Sequence, residues 1–325
     1  MCVRTLISVE AQDPLRTVRN LLRTIWTHAG LDGLFITLWN GEGSPKPTLL
    51  TSPDQIDRAD PFAPVMPKNS AIDAVQNLQN HPHDRLGFML RPCELRCFNT
   101  LQQHMKLGHT DELLISSDCL ATFPLQDFEW RLEGSEDPEQ MTQSVLHFAI
   151  QGGLQPSRYR NSCQFCDRSY PENADLSIEL LGIKTNENLI LRSRTQTMHE
   201  TLGLDQFGDQ VVPEEVTRSR ERILMRLSDW RQQALAYATA HIDEDQKTID
   251  GLIEHLSNCS ACRQTLQDCC PYFDCKWMTS HRVNSEKQAA TWLKACSGCG
   301  MCESDCPEGF PLFLVILSLS KALRK

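Results

Sequence analysis

Cysteines carry the chemistry of this sequence. The run 296–313, CSGCGMCESDCPEGFPLF, separates Cys296, Cys299, Cys302 and Cys306 by two, two and three residues and follows the last with Pro307. Each two-residue gap lets the backbone loop around one face of an inorganic cube, so that successive thiolates meet successive irons. Zinc favours two C-x2-C knuckles from separate segments, and three cysteines this close together suit it poorly. The spacing therefore predicts a 4Fe–4S cubane. In two-cluster ferredoxins the fourth cysteine of such a run ligates the other cluster.

That crossed ligation demands a second set, and CSACRQTLQDCCPYFDC at 259–275 supplies it. Cys259, Cys262 and Cys269 are expected to join Cys306 around one cluster, and Cys270 to join Cys296, Cys299 and Cys302 around the other, with Cys275 the alternative to Cys270. A third pair, Cys163-x2-Cys166, is ambiguous alone: a redox pair, half a zinc site and two buried small hydrophobes all fit it. The histidines at 104, 109, 147 and 199 show no HExxH-type spacing.

Positioning these thiols falls to a pattern of alternating strands and helices. Asp13-Pro14 opens a helix whose apolar residues Leu15, Val18, Leu21, Leu22 and Ile25 recur at helical spacing up to Gly30. A buried strand is expected at 34–39, a Gly/Pro-rich loop at 41–47, a helix at 70–80, a strand at 85–90, a helix closing at Gly108 and a strand at 112–117. A strand, a helix and a further strand in succession imply parallel neighbours in one sheet. Cys93 and Cys119 then both fall just beyond carboxyl ends of strands, the edge where open α/β sheets bind ligands. If the 161–166 loop crosses that edge, four thiols converge. Two further strands are expected at 174–183 and 188–195, and a helix at 213–240. Nine of the fifteen cysteines lie after residue 246. The expected division is an α/β domain over 1–200, a helical linker over 201–245 and a small helical domain over 246–325.

Composition narrows the class. With Lys+Arg 32 against Asp+Glu 42, the net charge is −10 and no basic tract is present, which argues against nucleic acid as a partner. The start, MCVRTLISVEAQDPLR, has no long apolar run after a basic beginning, and the apolar stretch 312–317 is too short to span a bilayer. A cytoplasmic protein is the expectation, and in that reducing compartment fifteen cysteines point to metal rather than disulfides.

The segments MLRPCELRCF, LLISSDC and NSCQFCDRSYPENADLSIELLG resemble the coenzyme F420 hydrogenase/dehydrogenase beta-subunit family, which includes formate-dehydrogenase-type beta subunits. The resemblance spans about 30–200, with APVMPKNSA at 63–71 also similar. It implies a mixed, mainly parallel α/β domain holding FAD and one 4Fe–4S cluster on Cys93, Cys119, Cys163 and Cys166, and a ferredoxin-like extension with two more. Local chemistry offers Lys68, Asn69, Ser70, Arg91, Pro92, Glu94, Arg96, Asp175 and Arg194 for the flavin: the helix start supplies free N–H groups, and the cations can neutralise a pyrophosphate. The alternative for Lys68 and Arg96 is a solvated charge near a helix end. Members that use the deazaflavin F420 carry a Gly-rich turn in the first helix, and RTVRNLLRTIWTHAG lacks it before Gly30. F420 is thus left without a close-approach backbone. The expected partners are other redox subunits of hydrogenase, formate-dehydrogenase or heterodisulfide-reductase type, with the chain converting two-electron transfer at FAD into one-electron flow. The alternative is an iron–sulfur relay without flavin.

Overall fold

The computed structural model describes residues 2–41, 43–107, 111–134, 136–152, 159–208, 211–273, 285–303 and 306–324. Seven strands lie among them: β1 (Val3–Ser8), β2 (Gly33–Leu38), β3 (Lys46–Leu50), β4 (Leu86–Leu90), β5 (Leu113–Ser117), β6 (Leu176–Glu179) and β7 (Asn188–Ser193). They form one sheet in the order β1-β7-β6-β5-β4-β2-β3. The middle four, β2, β4, β5 and β6, run parallel, and antiparallel partners close both sides, β3 beside β2, and β7 then β1 beside β6. The α/β class and the mainly parallel sheet are as the sequence pattern implies.

Among the described residues twelve α-helices surround or extend the sheet: α1 (Pro14–Ala29), α2 (Ala71–Asn80), α3 (Pro92–His104), α4 (Leu125–Glu133), α5 (Pro138–His147), α6 (Asn161–Gln164), α7 (Gln196–Thr201), α8 (Glu214–Thr239), α9 (Ile249–Asn258), α10 (Ser260–Cys269), α11 (Glu286–Ala295) and α12 (Leu312–Ala322). Their limits follow local chemistry. In α1 the Asp13 carboxylate accepts from the Arg16 amide at 3.0 Å, Pro14 takes the first turn and Gly30 ends the helix at φ 59°. α4 stops at Glu133, and Asp137 and Pro138 open α5, the Asp137 side chain capping the Glu139 amide at 2.9 Å.

Two strands differ from the sequence reading. β3 begins at Lys46, inside the expected 41–47 loop, and carries Pro47, which a sheet tolerates only at an edge. β1, on the opposite edge, pairs along its length with β7.

The segment after α8 is packed onto the sheet layer. A single cluster of buried apolar side chains joins Phe88 and Phe98 with Leu252, Tyr272 and Trp292, and the Tyr272 hydroxyl donates to the Cys97 carbonyl at 3.4 Å. α8 is anchored as well, because Arg220 and Arg231 on its inner face are buried. Among the described residues no helix is long and apolar enough to cross a membrane.

Candidate metal and cofactor centres

The carboxyl edge of the parallel strands gathers the first group of thiols. Cys93 lies in the first turn of α3, three residues beyond the end of β4, and Cys119 two beyond the end of β5. The Cys119 amide donates to the Ser169 carbonyl at 2.7 Å, which draws in the chain that follows the α6 turn. In that turn the Cys163 amide donates to the Arg160 carbonyl at 3.0 Å. The result is a small, partly open cavity of about 30 Å³ lined by Cys93, Cys119, Cys163, Cys166 and Cys299. Arg91, Arg168 and Arg231 also line it, and cations there favour thiolate over thiol. Burial acts in the opposite sense: it pushes the Cys93 thiol well up, with the Glu94 carboxylate adding to the effect, and the Cys119 thiol up to about 11, with Cys163 next in importance. Metal binding at this cavity must therefore expel protons.

Cys299 reaches the cavity from the second group. Cys296 ends α11, and the loop that follows turns twice through left-handed glycines, Gly298 at φ 71° and Gly300 at φ 69°. These turns fold the chain back between successive cysteines. Around Cys302 stand Cys296, Cys270, Cys299 and Cys269, whose nearness adds to burial in raising its pKa. The Trp292 indole N–H donates to the Cys270 sulfur at 3.4 Å. Burial and Cys299 likewise push Cys269 up to about 12. Cys275 lies outside the described residues.

The third group is His255, Cys259, Cys262 and Cys306, whose donor atoms all lie within 4.8 Å of one another. His255 was absent from the sequence reading, and Cys269 is not part of this group. The signal was present in HLSNCSAC, a His-x3-Cys-x2-Cys spacing that places the ring on the last turn of α9 and the thiols at the start of α10.

The flavin candidates separate. Glu94 is buried and accepts from the Ser70 amide and hydroxyl, at 3.2 and 2.8 Å, and from the Arg91 amide at 3.0 Å. Arg91 donates to the carbonyls of Ala63 and Val65 at 2.6 and 2.8 Å. Together these bonds hold the 63–71 loop against the start of α3, where Pro92 lines the cysteine cavity. Arg96 is neither solvated nor free, since its guanidinium donates to the carbonyls of Ser297 and Arg168 at 3.0–3.3 Å and so joins the two cysteine loops. Asp175 and Arg194 lie at the amino edge of the parallel strands, in a separate hollow. There the Asp175 carboxylate accepts from the Leu114 amide at 2.9 Å and stands 3.6 Å from the Arg194 guanidinium.

Lys68 and Asn69 line a groove of about 1180 Å³ whose opposite wall holds Cys269 and Cys270. Met66 lines both this groove and the cysteine cavity. The Asn69 carboxamide oxygen accepts from the Ala71 amide at 3.0 Å, but its buried nitrogen has no partner. Nor does the buried Nη1 of Arg160, which lines the same groove. Each of these two groove-lining side chains thus keeps one donor buried and unpaired within the protein.

No protein-family model matches the chain, and no curated protein does. Among solved structures it is similar to a chain of the F420-reducing [NiFe] hydrogenase complex from Methanosarcina barkeri, at 13% identity and a TM-score of 0.48, over 74% of this chain and 92% of that one. Likeness of that degree is general, and the chemistry has to be read from the side chains themselves.

Proposed function

We propose that the chain is a flavo-iron–sulfur electron-transfer subunit of an oxidoreductase complex. One observation carries this reading: Cys299, from the Cys296–Cys302 loop, lines the same cavity as Cys93, Cys119, Cys163 and Cys166. Two thiolate sets that share a wall are placed to pass single electrons between them. Spacing and the family resemblance together imply three cubanes. The donor geometry supports two, one on Cys93, Cys119, Cys163 and Cys166 and one on Cys270, Cys296, Cys299 and Cys302.

The groove beside them is large enough for FAD, and Lys68, exposed beside Asp73, brings a cation to it. Lys68, Asn69 and Arg160 would hold its pyrophosphate. A bound flavin takes electrons as a pair and gives them up singly. The chain's own residues set the path: Arg96 fixes the spacing of the two cysteine loops, Arg91 and Glu94 fix the loop that carries Asn69, and the apolar packing around Phe88, Phe98 and Trp292 keeps water from the interior side. The partner would be another redox subunit, as in formate dehydrogenases or hydrogenases.

A relay without flavin is the second reading, favoured by the commitment of Arg91 and Arg96 to protein carbonyls. Anaerobic purification followed by joint assay of iron, acid-labile sulfide and acid-released flavin tests both. Two cubanes require about eight irons and eight sulfides per chain. Stoichiometric flavin supports the first reading, and its absence leaves the relay. Cys163→Ser should remove about half of the cubane iron; unchanged iron would remove Cys163 from the site.

A further inference from the structure

The donor atoms of His255, Cys259, Cys262 and Cys306 are packed too tightly for a cubane. Cys259 Sγ and Cys306 Sγ are 3.8 Å apart, and His255 Nε2 lies 3.3 Å from Cys262 Sγ and 3.7 Å from Cys306 Sγ. A tetrahedral zinc with Zn–S bonds of about 2.3 Å and a Zn–N bond of about 2.0–2.1 Å has S···S edges of about 3.8 Å and N···S edges of about 3.5 Å. Around a cubane each thiolate binds a different iron, and the separation of the irons spreads the ligands further apart. Cys93, Cys119, Cys163 and Cys166 line a cavity between them, whereas this group closes on a point.

The imidazole is built as a ligand. Its Nε2 faces the sulfurs, while Nδ1 on the far side of the ring stands 3.9 Å from a Glu308 carboxylate oxygen. At that separation the carboxylate acts on the ring through charge alone; the hydrogen bond that usually supports a metal-bound histidine would need the two to close by about 1 Å. Phe310 stacks on the ring with centroids 3.8 Å apart and planes 9° from parallel, fixing its rotation. The backbone cooperates: the Cys259 amide donates to the His255 carbonyl at 2.7 Å where α9 gives way to α10, and the Gly309 amide donates to the Cys306 carbonyl at 2.9 Å in the turn before α12.

The geometry points to a closed, mononuclear Cys3His zinc site. Three soft thiolates with one imidazole in tetrahedral array select zinc among the common divalent cations, and four protein donors leave no open position, which makes the site structural. Its effect is mechanical. It ties the corner between α9 and α10 to Cys306, the residue that closes the 296–306 loop, and so braces the segment carrying Cys296, Cys299 and Cys302. This inference goes beyond the electron-transfer reading and does not depend on it.

The test is metal analysis of the whole chain purified anaerobically from cells supplied with both iron and zinc. About one zinc per chain is expected, with a sulfur-and-nitrogen shell in zinc-edge X-ray absorption of three S at about 2.3 Å and one N at about 2.0–2.1 Å. His255→Ala should lower the zinc content at least tenfold at unchanged iron, and His255→Cys should keep it. If His255→Ala does not fold, the absorption spectrum of the unaltered chain decides alone: any other shell overturns the site. Less than a fifth of a zinc with about twelve irons per chain would overturn it too, making this group a third cubane while sparing the electron-transfer reading. Zinc retained after His255→Ala would equally overturn it. Zinc of the expected shell without iron or sulfide would support the site and sink the electron-transfer reading instead.

Discussion

A methyl group added to Gly300 would place its carbon 2.0 Å from Cβ of Ser162 and 2.3 Å from the Ser162 hydroxyl. The loop that carries Cys299 and the turn that carries Cys163 thus touch at two small residues, and Gly300 holds φ 69° at the contact. Gly300→Ala must both strain the backbone and push the loops apart, because the obstructing atom is the root of a side chain. Gly298 has a similar φ of 71°, but a methyl there would meet only Leu317 at 3.7 Å. Gly298→Ala should therefore cost about 1–2 kcal/mol of stability and keep its iron, whereas Gly300→Ala should lose about half of the cubane iron. Equal effects of the two substitutions on iron content would show that the close contact does not position Cys299.

This contact marks where legibility in the sequence ended. The helices and parallel strands were readable because periodicity and caps are local, and from them followed the placing of Cys93 and Cys119 at one edge. β1 and β3 were not, since each owes its existence to a distant pairing partner at a sheet edge. Cysteine grouping was legible only in part. Spacing names candidates, but the fold decides that Cys299 faces the Cys163 turn and that His255 enters the third group. Arg91 and Arg96 read as anion-binding cations, and burial turned both to carbonyl partners that a sequence does not display.

Arg96 offers a direct comparison of two roles. Its bonds to the Ser297 and Arg168 carbonyls are made by a charged donor, a class worth about 1.5–3 kcal/mol each. Arg96→Ala should lower the urea midpoint and speed hydrogen exchange of the 296–302 amides, with flavin content unchanged. Flavin loss at unchanged stability would restore Arg96 to the cofactor instead.

Behind Cys119 stands a fully buried ion pair. Asp118 accepts from the Leu180 and Leu181 amides at 2.7 and 2.9 Å and from Arg220 of α8, which also stands 3.2 Å from Glu179. Removing one member of such a group strands the others without compensation and costs about 3–5 kcal/mol. Arg220→Ala should therefore be among the most destabilising single changes, read as a fall in thermal midpoint. Met225→Ala, on an exposed side chain of the same helix, serves as the control and should change little. A small loss with Arg220→Ala would mean that water or Arg192, which already stands 3.3 Å from Glu179, replaces the pairing.

Asp60 sets a pH dependence of stability. Burial raises its pKa from 3.8 to about 6, against the hydrogen bond from the Thr142 hydroxyl at 2.6 Å and the charge of Arg19, which both lower it. The folded protein therefore holds this proton more tightly than the unfolded chain, and the stability so gained is full below about pH 4 and gone once pH passes about 6. Over the whole window the change is on the order of 3 kcal/mol, and between pH 5 and 7.5 about 1.4 kcal/mol. Asp60→Asn does not titrate, yet it can still accept from the Phe62 amide, now bonded to Asp60 at 3.1 Å. The difference in unfolding free energy between the two proteins, measured in urea at pH 5 and 7.5, cancels any acid loss of metal that they share. It should shift by about 1.4 kcal/mol in favour of Asp60→Asn at the higher pH. A difference that stays constant, or moves the other way, would mean that Asp60 is ionised in the folded protein across this range, with Arg19 and Thr142 outweighing its burial.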